Sequence, residues 1–410
     1  MFEFQRRLPF HYGWVIVLCG ILTLFACLGL ARFAYGMLLP GMREGLGLAY
    51  DQMGYVSTGN FAGYLISVAL APLVIRRFKP RLTITFGLLL IACCMMGISQ
   101  SNSLQTTLIL YVLTGIGSGF ANIPVMVLVS HWFRRERRGR AAGLMVVGNG
   151  VAIVFSGFFI PYLNQQFGAQ GWRFGWLSLG LIALLIAVIA ACLLRNDPAE
   201  LGMEPLGARE EISVDNLTKP EPANGGRIIV WLGLLYLVFG ATYMVYGTFI
   251  VTTMVEEYRF AESSAGMFWS WVGFFGLFSG VLFGALSDRI GRKGGLVAVF
   301  SVQTVAYLLA GSGIGTPALV ASVVLYGIAA FAIPTIMAAA VADYMGLSKA
   351  AAAFSIVTFF FAVGQTIGPG AAGVIAEVSG SFSASYLCSA ALTSAALLFA
   401  LFLPSPKLQS

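Results

Sequence analysis

Apolar residues in this chain come in runs too long for the elements of a soluble domain. A helix needs about 20 apolar residues to cross a hydrocarbon layer. Scanning the 410 residues for such runs finds six in the first half: 12–39, 53–75, 82–99, 104–130, 141–163 and 174–194. The second half has six more, 228–255, 264–286, 296–311, 317–341, 350–376 and 383–403, of which 296–311 is the shortest. The pattern predicts an all-α membrane protein with twelve transmembrane helices.

The intervals between runs are short and polar, with one exception. Residues 195–227 hold Pro198, Pro205, Pro220 and Pro222 and seven of the 17 acids, a composition that suits a flexible cytoplasmic linker. The expected domains are an N-terminal six-helix bundle at 1–195, a linker at 196–227 and a C-terminal six-helix bundle at 228–410. The basic segment 1–10 resembles the start of a signal peptide, but the apolar run that follows is about twice the usual h-region length and has no convincing cleavage site. It is expected to be a retained first helix.

Composition agrees with this pattern. Charged residues make up 10% of the chain and hydrophobic ones 58%, whereas soluble domains carry about 25% charge. The net charge of +7 is mainly an orientation signal. With the N-terminus inside, twenty of the 24 Lys and Arg fall in cytoplasmic segments, three (Arg43, Arg173, Arg259) fall outside, and Arg32 lies within a helix. Cations collect on the cytoplasmic side of membrane proteins, so both termini are expected inside and the membrane is expected to be a bacterial inner membrane. Nucleic acid is not an expected partner; membrane lipid is, and the chain is expected to be a monomer.

The halves echo each other at a lag of about 210 residues. Tyr35-Gly36 matches Tyr246-Gly247, Ile123-Pro124 matches Ile333-Pro334, and the basic loop 76–81 matches 289–293. Two six-helix halves in parallel repeat place a binding site between them at the midplane and alternate its access by rocking.

The segment from Gly284 to Lys293, Gly-Ala-Leu-Ser-Asp288-Arg289-Ile-Gly291-Arg292-Lys293, resembles the loop motif of the major facilitator superfamily. The resemblance extends over the whole chain and implies a secondary transporter, with Asp288, Arg289 and Arg292 as a breakable cytoplasmic latch. In the first half Ile75 stands where the acid should be. Three further segments resemble the monocarboxylate and oxalate/formate branch: His11-Tyr-Gly-Trp14 at the first run, Trp132 to Gly143 ahead of the fifth, and Arg195 to Gly202 after the sixth. That branch carries a basic residue on its first helix, at a spacing matched here by Arg32 and Trp14. It also carries an Asp and an Arg on its eighth helix, whereas run 264–286 has no charged residue.

Arg32 is the one charge that loops and helix ends do not absorb. At 1.5 Å per residue it lies about 27 Å along the helix from Trp14 and ~8 Å outward of the helix centre, a depth at which a cation costs roughly 2 to 3 kcal/mol on insertion scales. It therefore requires a partner. One reading gives it Glu44, Asp51 or Glu377 at the outer interface; the other gives it the negative charge of a substrate. None of the 17 acids lies near the middle of a predicted helix, which favours the substrate, and a single buried cation favours a monoanion. An Arg fork donates two parallel hydrogen bonds to a carboxylate. Tyr35 shares its helix face. Asn60, Asn122, Asn149, Tyr243, Tyr246, Tyr326 and Gln365 are further polar candidates at plausible depth, and each also suits interhelical hydrogen bonding.

Other chemistry is weakly represented. The six cysteines lack metal-like spacing, so neither a metal nor a cofactor is expected, and His11 and His131 lie at cytoplasmic helix ends. Gly115-Ile-Gly117-Ser-Gly119 lacks the third glycine of a dinucleotide loop and suits close helix packing. Gly364 to Gly373, with Pro369, resembles a glycine-proline motif that proton-driven exporters carry on the fifth helix, here displaced to the eleventh run, where Pro369 would loosen the helix. No nucleotide-binding or catalytic constellation is present, so an enzyme is not expected. The expected function is alternating-access transport of a small organic monoanion, by exchange or with protons; the alternative is proton-linked export of a drug-like or sugar-like molecule.

Overall fold

A computed structural model describes residues 10–207 and 225–404. Residues 208–224 of the expected linker lie outside the described residues, and its last three, 225–227, open helix Gly225–Thr252. The chain falls into two compact units, Met1–Gly47 with Gly59–Glu211 and Leu48–Thr58 with Ile212–Ser410. Among the described residues the architecture is all-helical, with nine helical stretches long and apolar enough to cross a membrane.

Two of these stretches are double-length and break at one residue each. Tyr50–Ser99 is interrupted at Lys79, with φ 64° and ψ 160°, and Glu262–Gly311 at Gly291, with φ 84° and ψ 159°. The two breaks share one backbone conformation at positions 212 residues apart. Glycine adopts it freely; Lys79 holds it at a cost of roughly 1 to 3 kcal/mol. This correspondence puts Arg76, not Ile75, opposite Asp288. The first unit therefore has a cation where the second has its acid. A third long stretch, Glu136–Leu193, turns at the short 3-10 segment Gly168–Gln170.

The repeated Ile-Pro pair behaves differently in the two halves. Pro124 lies inside the continuous helix Leu104–Trp132, whereas Pro334 follows a break between Thr316–Ala329 and Ala332–Met345. At that break the Phe331 N–H donates to Ser279 Oγ at 3.2 Å, replacing a helical acceptor with a hydroxyl. Helix Leu347–Ser379 contains Pro369 and is repaired in the same way. The Thr58 hydroxyl donates to the Thr366 carbonyl at 2.8 Å and accepts the Gly370 N–H at 3.0 Å, so it stands between two backbone groups that a regular turn would pair directly.

Glycines set the helix spacing. A Cβ on Gly115 would collide with the Asn60 carbonyl, one on Gly119 with the Ser67 side chain, and one on Gly117 would come within 2.7 Å of the Gly87 carbonyl. In the second unit Gly364 and Gly368 press against the carbonyls of Leu237 and Ala241. Lipid tails are as apolar as leucine, so helices associate through close contact, and small residues permit it. Cys19, Cys27 and Cys94 are buried in this packing, while Cys93, Cys192 and Cys388 face outward.

Candidate functional site

The helix that carries Arg32 is irregular there. Phe25–Phe33 forms a π-helical segment, in which the Ala34 N–H donates to the Gly29 carbonyl five residues back. Such widened turns are rare and frequent at functional sites. Gly29 permits this one to lie against Ala152 of helix Arg135–Phe167.

Arg32 is 9% exposed. Its guanidinium carbon sits 4.7 Å from the centroid of the Phe61 ring and 4.5 Å from that of Tyr64. Phe61 and Tyr64 are three residues apart on helix Tyr50–Ser99 and so share a face. Arg32 Nε and Nη2 are buried and donate to no partner among the described residues. No carboxylate among them pairs with Arg32. Of the proposed outer-interface acids, Glu377 accepts the Tyr50 N–H at 2.8 Å and Asp51 accepts the Gln52 N–H at 2.7 Å.

Asn122, on Leu104–Trp132, donates from Nδ2 to the Tyr64 hydroxyl at 2.9 Å, so it joins the Arg32 cluster through Tyr64. Tyr35 is buried with its ring 5.0 Å from that of Tyr111, which in turn lies 5.6 Å from Trp176. Tyr35 is thus built into an aromatic wall. Asn60 ties the wall to its own helix, donating to the Tyr111 carbonyl at 3.1 Å and leaving Oδ1 without a partner. Asn149, beside the Gly148 that packs on Ile21, is also buried with Oδ1 unsatisfied.

The second unit gathers Tyr243, Tyr246 and Tyr326 into one cluster. The Tyr246 and Tyr326 rings stack at 4.0 Å, Tyr246 hydrogen-bonds Ser322 at 2.8 Å, and the Tyr326 hydroxyl donates to the Tyr243 carbonyl at 2.9 Å. These groups are engaged with one another, as interhelical hydrogen bonding would have them. Gln365 is buried and its Oε1 has no partner among the described residues.

Of the expected latch, Arg292 is the centre. It donates from Nε to Asp343 at 2.6 Å and from Nη1 to Asp288 at 2.5 Å, joining the break at Gly291 to the end of helix Ala332–Met345. Arg289 is exposed and forms no ion pair among the described residues. The first unit uses Arg81 in a comparable place, where Nη2 donates to the Ala191 carbonyl at 2.6 Å.

Sequence reasoning missed Phe61, Tyr64 and Tyr111. An aromatic residue in an apolar run carries no local mark of whether it faces lipid, core or cation. The π-helical turn likewise has no signature in the run 12–39.

A model of the family described as "Uncharacterised MFS-type transporter YbfB" matches residues 24–402. Monocarboxylate transporter 2 of Rattus norvegicus is 21% identical over 397 residues, which cover 92% of this chain and 80% of that protein. The oxalate:formate antiporter of Oxalobacter formigenes is 22% identical over 309 residues, covering 72% of this chain and 68% of its own. Among solved structures, a D-xylose-proton symporter matches with a TM-score of 0.76 at 15% identity, covering 97% of this chain and 99% of that one. Nucleoside transporter NupG matches at 0.75 and 12% identity, covering 96% and 99%. The structural matches speak to the fold alone.

Proposed function

The chain belongs to the family of MFS-type transporters matched over residues 24–402, a multi-pass membrane transporter and not an enzyme, and on that premise we propose that it moves a small organic monoanion, monocarboxylate-like, across a bacterial inner membrane by alternating access. The observation that carries the reading is Arg32. It is a deeply buried cation with two unsatisfied donors and no carboxylate beside it among the described residues. A charge in that position is costly unless something arrives to pair with it, and a carboxylate offers two acceptors to a planar fork. Relatives named for monocarboxylate and for oxalate and formate transport support the same class.

Counting separately the two sides of the breaks at Lys79, at Gly291 and at Gly168–Gln170 turns the nine long stretches into twelve. This supports twelve crossings, an even number that leaves both termini on one side; the distribution of cations favours the inside, and bundles at 1–195 and 228–410 with a linker at 196–227 complete the proposed arrangement. Arg292 with Asp288 and Asp343 would steady the cytoplasmic end of the second bundle. In the first unit Tyr35 and Asn149 are kept as polar substrate contacts, with Asn122 acting through Tyr64; in the second unit Gln365, buried with Oε1 unpartnered among the described residues, is kept as a polar candidate.

The experiment is counterflow in proteoliposomes loaded with formate, lactate or benzoate, with their neutral amides as controls. The reading expects carboxylates to drive counterflow and amides to fail. Equal response to the amides, or flux only of neutral sugars or cationic drugs, would sink it. Flux measured with and without a pH gradient separates exchange from proton-linked movement.

A further inference from the structure

Arg32 without an anion poses an electrostatic problem that its aromatic neighbours answer. We propose that Phe61 and Tyr64 form a neutral holster, which holds Arg32 charged and in place while no anion is bound and is exchanged for a carboxylate when one arrives. The inference rests on the reading of Arg32 as anion receptor and adds the residues that position it.

A buried guanidinium needs a counter-ion or a group that stabilises it without neutralising it. Ring faces do the second, because their quadrupole attracts a cation. The guanidinium carbon lies 4.7 Å and 4.5 Å from the two ring centroids, within the range where that attraction operates. A resident carboxylate would compete with the substrate for the same donors. Two rings leave those donors uncommitted.

The uncommitted atoms are Nε and Nη2, which together form one edge of the fork and present two parallel N–H groups. That is the edge a carboxylate engages bidentately. Both atoms are buried, so a carboxylate reaches them only when a ring gives way. Phe61 is fully packed, whereas Tyr64 and Asn122 are half-buried, which makes Tyr64 the ring that moves. Its hydroxyl accepts from Asn122 Nδ2 at 2.9 Å, and this bond sets the resting position of the ring. Tyr64 and Asn122 are accordingly positioning residues: they act on the anion through Arg32.

The test replaces Tyr64 with Phe and then with phenylalanines carrying increasing numbers of ring fluorines, which drain the quadrupole while scarcely changing shape. The full-length purified protein is melted without solute, and its affinity for formate, lactate and benzoate is measured. The melting temperature is expected to fall stepwise with fluorination in the Arg32 protein and to stay level in an Arg32→Gln background. Affinity for the carboxylates is expected to rise across the series, on the order of tenfold, as the resting contact weakens. Equal melting trends in both backgrounds, or affinity unchanged by fluorination, would overturn the proposal. A stepwise fall confined to the Arg32 protein, with no variant responding to any of the three carboxylates, supports the holster and counts against the monocarboxylate reading instead.

Discussion

Arg292 donates from Nε to Asp343 Oδ2 at 2.6 Å, across the turn at Gly291 to the end of another helix of the same unit. Its bond to Asp288, four residues earlier, is as short. The two acids differ in their surroundings: the Asp343 side chain is 41% exposed and that of Asp288 66%. Water screens exposed pairs to a few tenths of a kcal/mol. Asp343→Asn should therefore destabilise the purified protein by up to about 1 kcal/mol and Asp288→Asn by less, read as melting temperatures at low and high salt. A larger loss from Asp288→Asn would contradict this ranking.

Thr58 repairs the backbone at Pro369. Thr58→Val keeps the shape and removes the hydroxyl between the Thr366 carbonyl and the Gly370 N–H. Leaving buried polar groups unpaired costs about 1 to 3 kcal/mol. The variant should melt earlier, and Thr58→Ser should recover most of the loss. Equal stability of Thr58→Val and wild type would show the bridge to be dispensable.

Gly115 and Gly139 should respond in opposite ways to alanine. A Cβ on Gly115 meets the Asn60 carbonyl, whereas one on Gly139 meets nothing within 4 Å. Gly115→Ala forces two helix backbones apart and should cost about 1 to 3 kcal/mol or prevent folding. Gly139→Ala relieves a helical glycine and should stabilise by roughly 0.5 to 1 kcal/mol. Yield after detergent extraction, followed by thermal melting, reads both.

Tyr246 separates scaffold from site. Its hydroxyl is engaged with Ser322, so Tyr246→Phe should lower stability by about 1 kcal/mol and leave carboxylate affinity within about twofold. A tenfold loss of affinity at unchanged stability would return Tyr246 to the substrate contacts.

The helices and their polar interruptions were legible because membrane crossing imposes a run length that few other elements share. The Gly115-Gly117-Gly119 stretch was legible as close packing for the same reason: small residues in lipid have one common use. Arg32 stood out because a charge amid apolar residues requires an explanation. Its surroundings were not legible. Phe61 and Tyr64 lie on another helix, and their approach to Arg32 depends on the π-helical turn at Phe25–Phe33 and on the tight pairing at Gly29 with Ala152, neither of which a hydrophobic period records. The Tyr243, Tyr246 and Tyr326 cluster was visible as candidate polar groups, but only the pairing with Ser322 and the Tyr243 carbonyl shows where those hydroxyls are spent.

The central claim concerns one side chain, and equilibrium binding to Arg32 variants tests it most directly. Formate, lactate and benzoate are titrated calorimetrically into wild-type, Arg32→Lys and Arg32→Gln protein, each first shown to be folded by its melting curve. The account predicts binding of at least one carboxylate to wild type, a loss of about tenfold or more in Arg32→Lys, whose point charge lacks the planar fork, and no measurable binding to Arg32→Gln. A folded Arg32→Gln protein that binds the same carboxylate with wild-type affinity would contradict it.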